Sequence, residues 1–158
     1  MNKIFIKTSI LFLIILLTAC SYKPIFSEKN YGFEIEEINL VGERNVNRII
    51  KNKLKFIKST GEKEKKRYTI EIKSKKSKKI LSKDAKGDPL KFEMNILVEY
   101  KVLNNGNLLI KNVIEKNNVY NNDSDQFNLE QTEDIILENL TESISDNLIS
   151  SIINLDDN

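Results

Sequence analysis

The chain of 158 residues holds 25 Lys/Arg against 23 Asp/Glu, no His, no Trp and a single Cys. Without histidine, nucleophilic catalysis by a histidine-activated residue is excluded, and a metal site loses its commonest nitrogen donor. One Cys excludes a disulfide framework, so a single hydrophobic core has to hold the fold.

Residues 1–19 read as a cleaved export signal. Lys3 and Lys7 form the charged start, residues 10–17 are an unbroken apolar run, and the small residue Ala19 precedes the cut. The run is shorter than the roughly 20 apolar residues a spanning helix needs, and Lys7 breaks its continuation toward the N-terminus. Leu17-Thr18-Ala19-Cys20 resembles a lipobox, which makes Cys20 the acylated first residue of the mature chain. Two or more acyl chains, at about 0.8 kcal/mol per buried methylene, make such an anchor permanent. Once Lys3 and Lys7 leave with the signal, basic and acidic side chains balance, but they are segregated. Residues 51–91 carry 16 Lys/Arg against five acids, whereas from Glu115 onward there are 11 acids and only Lys116.

Residues 20–31, with Pro24, read as a lipidated tether, and residues 32–158 as a single domain. Over 33–41 the apolar residues alternate, slip at Glu36-Glu37 and resume at Ile38 and Leu40, which predicts a strand with a bulge or bend. Asn45 is a candidate helix cap, and Val46, Ile49, Ile50, Leu54 and Ile57 recur at helical spacing, with Arg48, Lys51, Lys55 and Lys58 turned out and Gly61 as the stop. Tyr68, Ile70 and Ile72 alternate with polar residues as a half-buried strand does. Residues 75–89, rich in lysine and containing Gly87-Asp88-Pro89, read as a loop or frayed strand ends. The strongest strand follows, with Phe92, Met94, Ile96, Val98, Tyr100 and Val102 on one face.

Asn105-Gly106 supplies the positive φ angles of a tight hairpin turn, so a fourth strand runs back from Leu108 to Tyr120. From Leu129 onward Ile136, Leu140, Ile144, Leu148 and Ile152 step by four, widened by Ile135, Leu137, Ile149 and Ile153, and predict a long closing helix. The order β-α-β-β-β-α with segregated strands predicts an α+β fold: a four-stranded, mostly antiparallel sheet with two helices packed on one face.

Acidic pairs such as Glu36-Glu37, Asp123 with Asp125, and Asp156-Asp157 are the remaining groups for catalysis. Each falls on a loop, a strand edge or a terminus without an aromatic platform, so no catalytic residue, metal or cofactor is expected. The basic block is the candidate binding feature. An exported chain does not meet nucleic acid, which leaves an anionic membrane surface, an anionic glycolipid, or plain solvation of a charged loop as its use.

Cys20-Ser21-Tyr22-Lys23-Pro24-Ile25-Phe26 resembles the mature start of the lipopolysaccharide-assembly lipoprotein LptE (RlpB) family. Gly87 with Lys91-Phe92 leading to Leu97 and Tyr100, and Tyr120, Ser124 and Phe127 before the last helix, are similar to that family's pattern. Lys91 stands where an arginine is expected, which removes bidentate phosphate recognition at that position. The resemblance implies an outer-membrane lipoprotein, anchored at Cys20 on the periplasmic side, that plugs an LptD-type β-barrel one to one and helps it deliver lipopolysaccharide. Lys75, Lys76, Lys78, Lys79, Lys83, Lys86 and Lys91 are then the candidate lipopolysaccharide ligands, meeting phosphates as point charges. A pilotin that escorts another outer-membrane multimer is the alternative.

Overall fold

The computed structural model describes residues 32–55, 57 and 66–156; the export signal, Cys20, the tether, Lys58 and Gly61 lie outside them. Strand β1 (Phe33–Gly42) is followed by helix α1 (Arg44–Lys55), strands β2 (Lys66–Lys83), β3 (Pro89–Asn104) and β4 (Asn107–Asn121), and helix α2 (Gln126–Asp156). The strands form one sheet in the order β1-β2-β3-β4. β1 and β2 are parallel, joined by the α1 crossover, while β3 is antiparallel to both of its neighbours. The α+β architecture expected from the sequence is the one observed.

Alternation along β3 fixes which face is covered. Phe92, Met94, Ile96, Val98, Tyr100 and Val102 are all buried, and their neighbours in register include Ile70, Ile72, Ile110, Ile114 and Tyr120. α1 adds Val46, Ile50 and Leu54, and α2 adds Leu129, Ile136, Leu137, Ile144, Leu148 and Ile152, to form one core beneath both helices. A strand's side chains point to opposite faces in turn, so the other face of the sheet is left open. That face carries polar pairs across the strands: Lys101 with Glu71 at 2.9 Å, Asn95 with Glu115 at 2.6 Å, and Asn117 with Glu93 at 3.0 Å.

Several local expectations hold in detail. Glu36 is the extra residue of a β1 bulge, between the pairs Ile35 with Tyr68 and Glu37 with Thr69. Asn105 and Gly106 both have positive φ, 49° and 80°, as the two-residue hairpin requires. Others are corrected. α1 begins one residue before Asn45, its first turn closed by the Asn47 N–H on the Glu43 carbonyl at 3.0 Å. α2 starts three residues before Leu129, because the Asp125 carboxylate accepts the Phe127 N–H at 2.9 Å and caps the helix. Ile135, assigned to the apolar stripe, is 53% exposed, whereas Thr141 and Ser145, not assigned to it, are buried. Their hydroxyls donate to the carbonyls of Leu137 and Thr141, both at 2.7 Å, so two polar groups are buried without an unmet bond.

Gly42 ties α1 to the sheet. Its φ is 104°, and a Cβ there would lie 2.0 Å from the Ser74 carbonyl oxygen. This close approach lets the Glu43 N–H donate to that oxygen at 3.3 Å and the Ser74 hydroxyl donate to Asn47 Oδ1 at 2.8 Å. Gly42→Ala is therefore expected to lower the urea midpoint of unfolding much more than Gly87→Ala. At Gly87 the φ is 94° but nothing lies near, so that change carries only backbone strain of about 1–2 kcal/mol. Equal losses in the two variants would show that the approach to Ser74 has no weight.

Candidate functional site

The lysine-rich stretch is a strand, not the loop that its composition suggested. β2 continues to Lys83 and stays in register with β3 from Lys75 opposite Leu97 to Lys79 opposite Glu93, ending with Lys83 opposite Pro89. Pairing with β3 outweighs the weak local pattern, and lysine stems can lie along a sheet while their ammonium groups stay in water. The hairpin closes through Asp84. Its carboxylate accepts the N–H groups of Lys86 and Asp88, each at 2.8 Å, and its own N–H donates to the Asp88 carbonyl at 2.8 Å.

Strand geometry divides the seven candidate lysines into three sets. Lys75 and Lys79 lie on the open face, Lys76 and Lys78 on the helix face, and Lys83, Lys86 and Lys91 at or beside the hairpin tip, with Lys91 opposite Asn121. Two already have partners in the fold. Lys79 pairs with Glu93 across the open face. Lys78 pairs with Glu133 of α2 and sits 4.0 Å above the Phe92 ring. Among the described residues, Lys75, Lys76, Lys83, Lys86 and Lys91 have no ion-pair partner within 4.0 Å.

The sequence reading missed the apolar side of this end. Ile80, Leu81, Leu90, Val119 and Phe127 are each between 45% and 72% exposed. They lie on segments that meet at this end of the sheet but on two faces: Ile80, opposite Phe92, is on the helix face, whereas Val119, opposite Glu93, is on the open face. The Asn122 N–H bonds the Leu90 carbonyl at 2.8 Å, which holds the α2 entry against the β3 start. Free cations beside exposed apolar side chains make a surface suited to an anionic amphiphile, which offers both phosphate and hydrocarbon. The one available sequence signal was the isolated Ile80-Leu81 and Leu90 within otherwise charged segments.

Lys78, Glu133 and Tyr120 lock this end to the core. The Tyr120 hydroxyl donates to Glu133 at 2.8 Å, and the Phe92 and Tyr120 rings pack with centroids 5.7 Å apart. Burial, then the hydrogen bond and charge of Glu133, push the Tyr120 hydroxyl up, so it keeps its proton. Burial alone pushes the Glu133 carboxyl up, but hydrogen bonds from Lys78 and Tyr120 and the charges of Lys78 and Lys76 outweigh it and hold the group below 4.5. Members of two of the acidic pairs have partners in the fold, and Asp157 of the third lies outside the described residues. Asp125 caps α2, Asp123 accepts the Asp125 N–H at 2.8 Å, and Glu36 lies 3.8 Å from Arg67. Among the described residues, no cluster of three or more His, Cys, Asp or Glu could hold a metal ion. Nor is any described helix long and apolar enough to cross a membrane.

A carboxyl whose folded pKa is depressed contributes stability that is present above its unfolded pKa and lost as pH falls through the folded one. The stability gap between the wild type and Glu133→Gln is therefore expected to be full at neutral pH and to shrink as pH drops below 4.5. Urea titrations at stepped pH read this directly. A gap independent of pH would contradict the ionised pair with Lys78.

No family model matches the chain, and no curated protein sequence matches it. Solved structures do. Rare lipoprotein B from Shewanella oneidensis superposes with a TM-score of 0.56 at 13% identity, over 76% of this chain and 96% of that one. Lipoprotein B from Nitrosomonas europaea gives 0.59 at 12% identity, over 85% of this chain and 92% of that one. A minor lipoprotein from Acinetobacter baumannii gives 0.50 at 12% identity, over 77% and 96%. Nearly the whole of each neighbour is covered, so this chain has the fold of the rare lipoprotein B structures.

Proposed function

We infer that this chain is a non-catalytic outer-membrane lipoprotein of the LptE type. It is anchored through Cys20 on the periplasmic side, plugs a large LptD-type β-barrel one to one, and assists delivery of lipopolysaccharide to the outer leaflet. The fold shared with rare lipoprotein B supports this reading, as does the lipobox-like sequence ending at Cys20. The observation that carries it furthest is the open sheet face. A face left bare by both helices, carrying paired Lys, Glu and Asn side chains across β2, β3 and β4 with Val41, Val113 and Val119 exposed among them, suits the hydrated, largely polar interior of a wide barrel. The basic and apolar hairpin end suits lipopolysaccharide, with Lys83, Lys86 and Lys91 meeting phosphate and Leu81, Leu90 and Phe127 meeting acyl chains. Lys78 and Lys79 serve the fold first, since each already holds a carboxylate.

A C-terminally tagged full-length chain, purified from detergent-solubilised envelopes and washed at high salt, is expected to retain one large β-barrel in near-equal amount. Recovery of another multimer instead would favour the pilotin reading. On the same purified material, replacing Lys83, Lys86 and Lys91 together by Gln is expected to weaken lipopolysaccharide binding, most at low salt where charges are least screened. Unchanged binding at low salt would remove the hairpin from the ligand site.

A further inference from the structure

One edge of β2 is covered along only half of its length. β1 pairs with β2 from Lys66 to Ser74 and ends there, because the chain turns at Gly42 and α1 folds back over the strands it joins. On its other side β2 stays paired with β3 as far as Lys83. Among the described residues, no strand pairs with the β1 side of β2 beyond Ser74.

A single hydrogen bond fixes which backbone groups this edge presents. The Ser74 carbonyl accepts the Glu43 N–H at 3.3 Å, so Ser74 turns its backbone groups to the β1 side. Successive residues of a strand turn theirs to opposite sides, and no register shift intervenes between Ser74 and Ile80. Lys76, Lys78 and Ile80 therefore turn their N–H and carbonyl groups to the uncovered side, while Lys75, Ser77 and Lys79 turn theirs to β3. The outward groups form a row spaced by about 6.8 Å, two residues of strand, with no partner among the described residues. Leu81, which has no partner in β3, ends the row at a bulge.

The side chains decide what the edge takes. Lys78 and Lys79 already hold Glu133 and Glu93, but Lys75 and Lys76, on opposite faces, have no ion-pair partner among the described residues. Ile80 is 46% exposed. An added strand brings its side chains to about 5 Å from those opposite. Acidic residues at two successive positions would answer Lys75 and Lys76, and an apolar residue four positions from the nearer acid would cover Ile80. A second copy does not meet this demand. Its own uncovered β2 edge would set lysine against lysine. Its β1, with Glu36-Glu37 against Lys75 and Lys76, would run into the β1 already paired up to Ser74. An anionic lipid answers the lysines but lacks a regular row of amide donors and acceptors.

We propose that the β2 edge from Lys75 to Ile80 takes up an extended acidic segment of a partner protein as an added strand. Main-chain bonds to Lys76, Lys78 and Ile80 hold the segment, and Lys75 and Lys76 select its charge. The lysine-rich stretch then serves twice on one edge, repelling like edges and admitting an acidic one. The inference stands on the strand edge alone and does not depend on the barrel or on lipopolysaccharide.

Amide exchange in the detergent-solubilised full-length chain tests it, with the peptide Thr-Val-Thr-Thr-Thr-Glu-Asp-Thr as probe. At low salt the peptide is expected to slow exchange severalfold at Lys76, Lys78 and Ile80, and to leave Lys75, Ser77 and Lys79 unchanged because β3 already holds them. Four outcomes would overturn the proposal: no slowing, equal slowing by a peptide with lysines in place of its acids, slow exchange at those amides before any peptide is added, or equal slowing by lipopolysaccharide. Substitution separates backbone from charge. Lys76→Pro removes an outward N–H without removing a bond to β3, and is expected to weaken peptide binding severalfold more than Lys76→Gln. Equal losses would show that charge alone binds the peptide and would overturn strand addition.

Discussion

β3 is paired along nearly its whole length on both sides, and it buries six side chains on one face. That two-sided pairing obliges its neighbours to be strands over the same span, whatever their own composition. β2 follows it to Lys83 although residues 75–79 offer no apolar alternation, and β4 follows it to Asn121. The face that β3 buries decides where the helices go, and the opposite face becomes the open one. Truncating a fully buried residue at its centre such as Ile96 would remove contacts to both neighbouring strands and to the core above, the kind of site where loss of a large side chain costs about 2–5 kcal/mol.

The lysines show what happens when tertiary pairing overrides local pattern. As a loop they would form one flexible cationic cluster. As a strand they alternate, and the cluster is split between a helix face, an open face and a tip. Lys78 becomes part of the structure, clamped between the Phe92 ring and the Glu133 carboxylate, while the tip lysines have no ion-pair partner among the described residues. The lysines of this chain therefore have different surroundings, and the sheet's twofold repeat separates them.

Much of this order was legible in the residues. The alternation through 92–102, the Asn105-Gly106 turn, the slip at Glu36 and the four-residue steps of the last helix each follow from local geometry, and each was found. The strand character of 75–83 was not legible, because only pairing with β3 imposes it. The Lys78–Glu133–Tyr120 lock was hidden for the same reason: Lys78 and Glu133 lie 55 positions apart in the chain. Thr141 and Ser145 passed unnoticed because hydroxyls that bond their own helix can substitute for apolar residues in a stripe.

The account rests on the division of the molecule into a helix side that covers the core and a bare sheet side, which the proposed function turns to a hydrated partner. Photo-crosslinking from single positions in living envelopes tests that division most directly. Probes at Lys111 and Asn117, exposed on the open face, should capture one large β-barrel. A probe at Arg48, exposed on α1, should give far less barrel adduct. Capture of the barrel from the helix side alone, or of no barrel from the sheet side, would contradict the account.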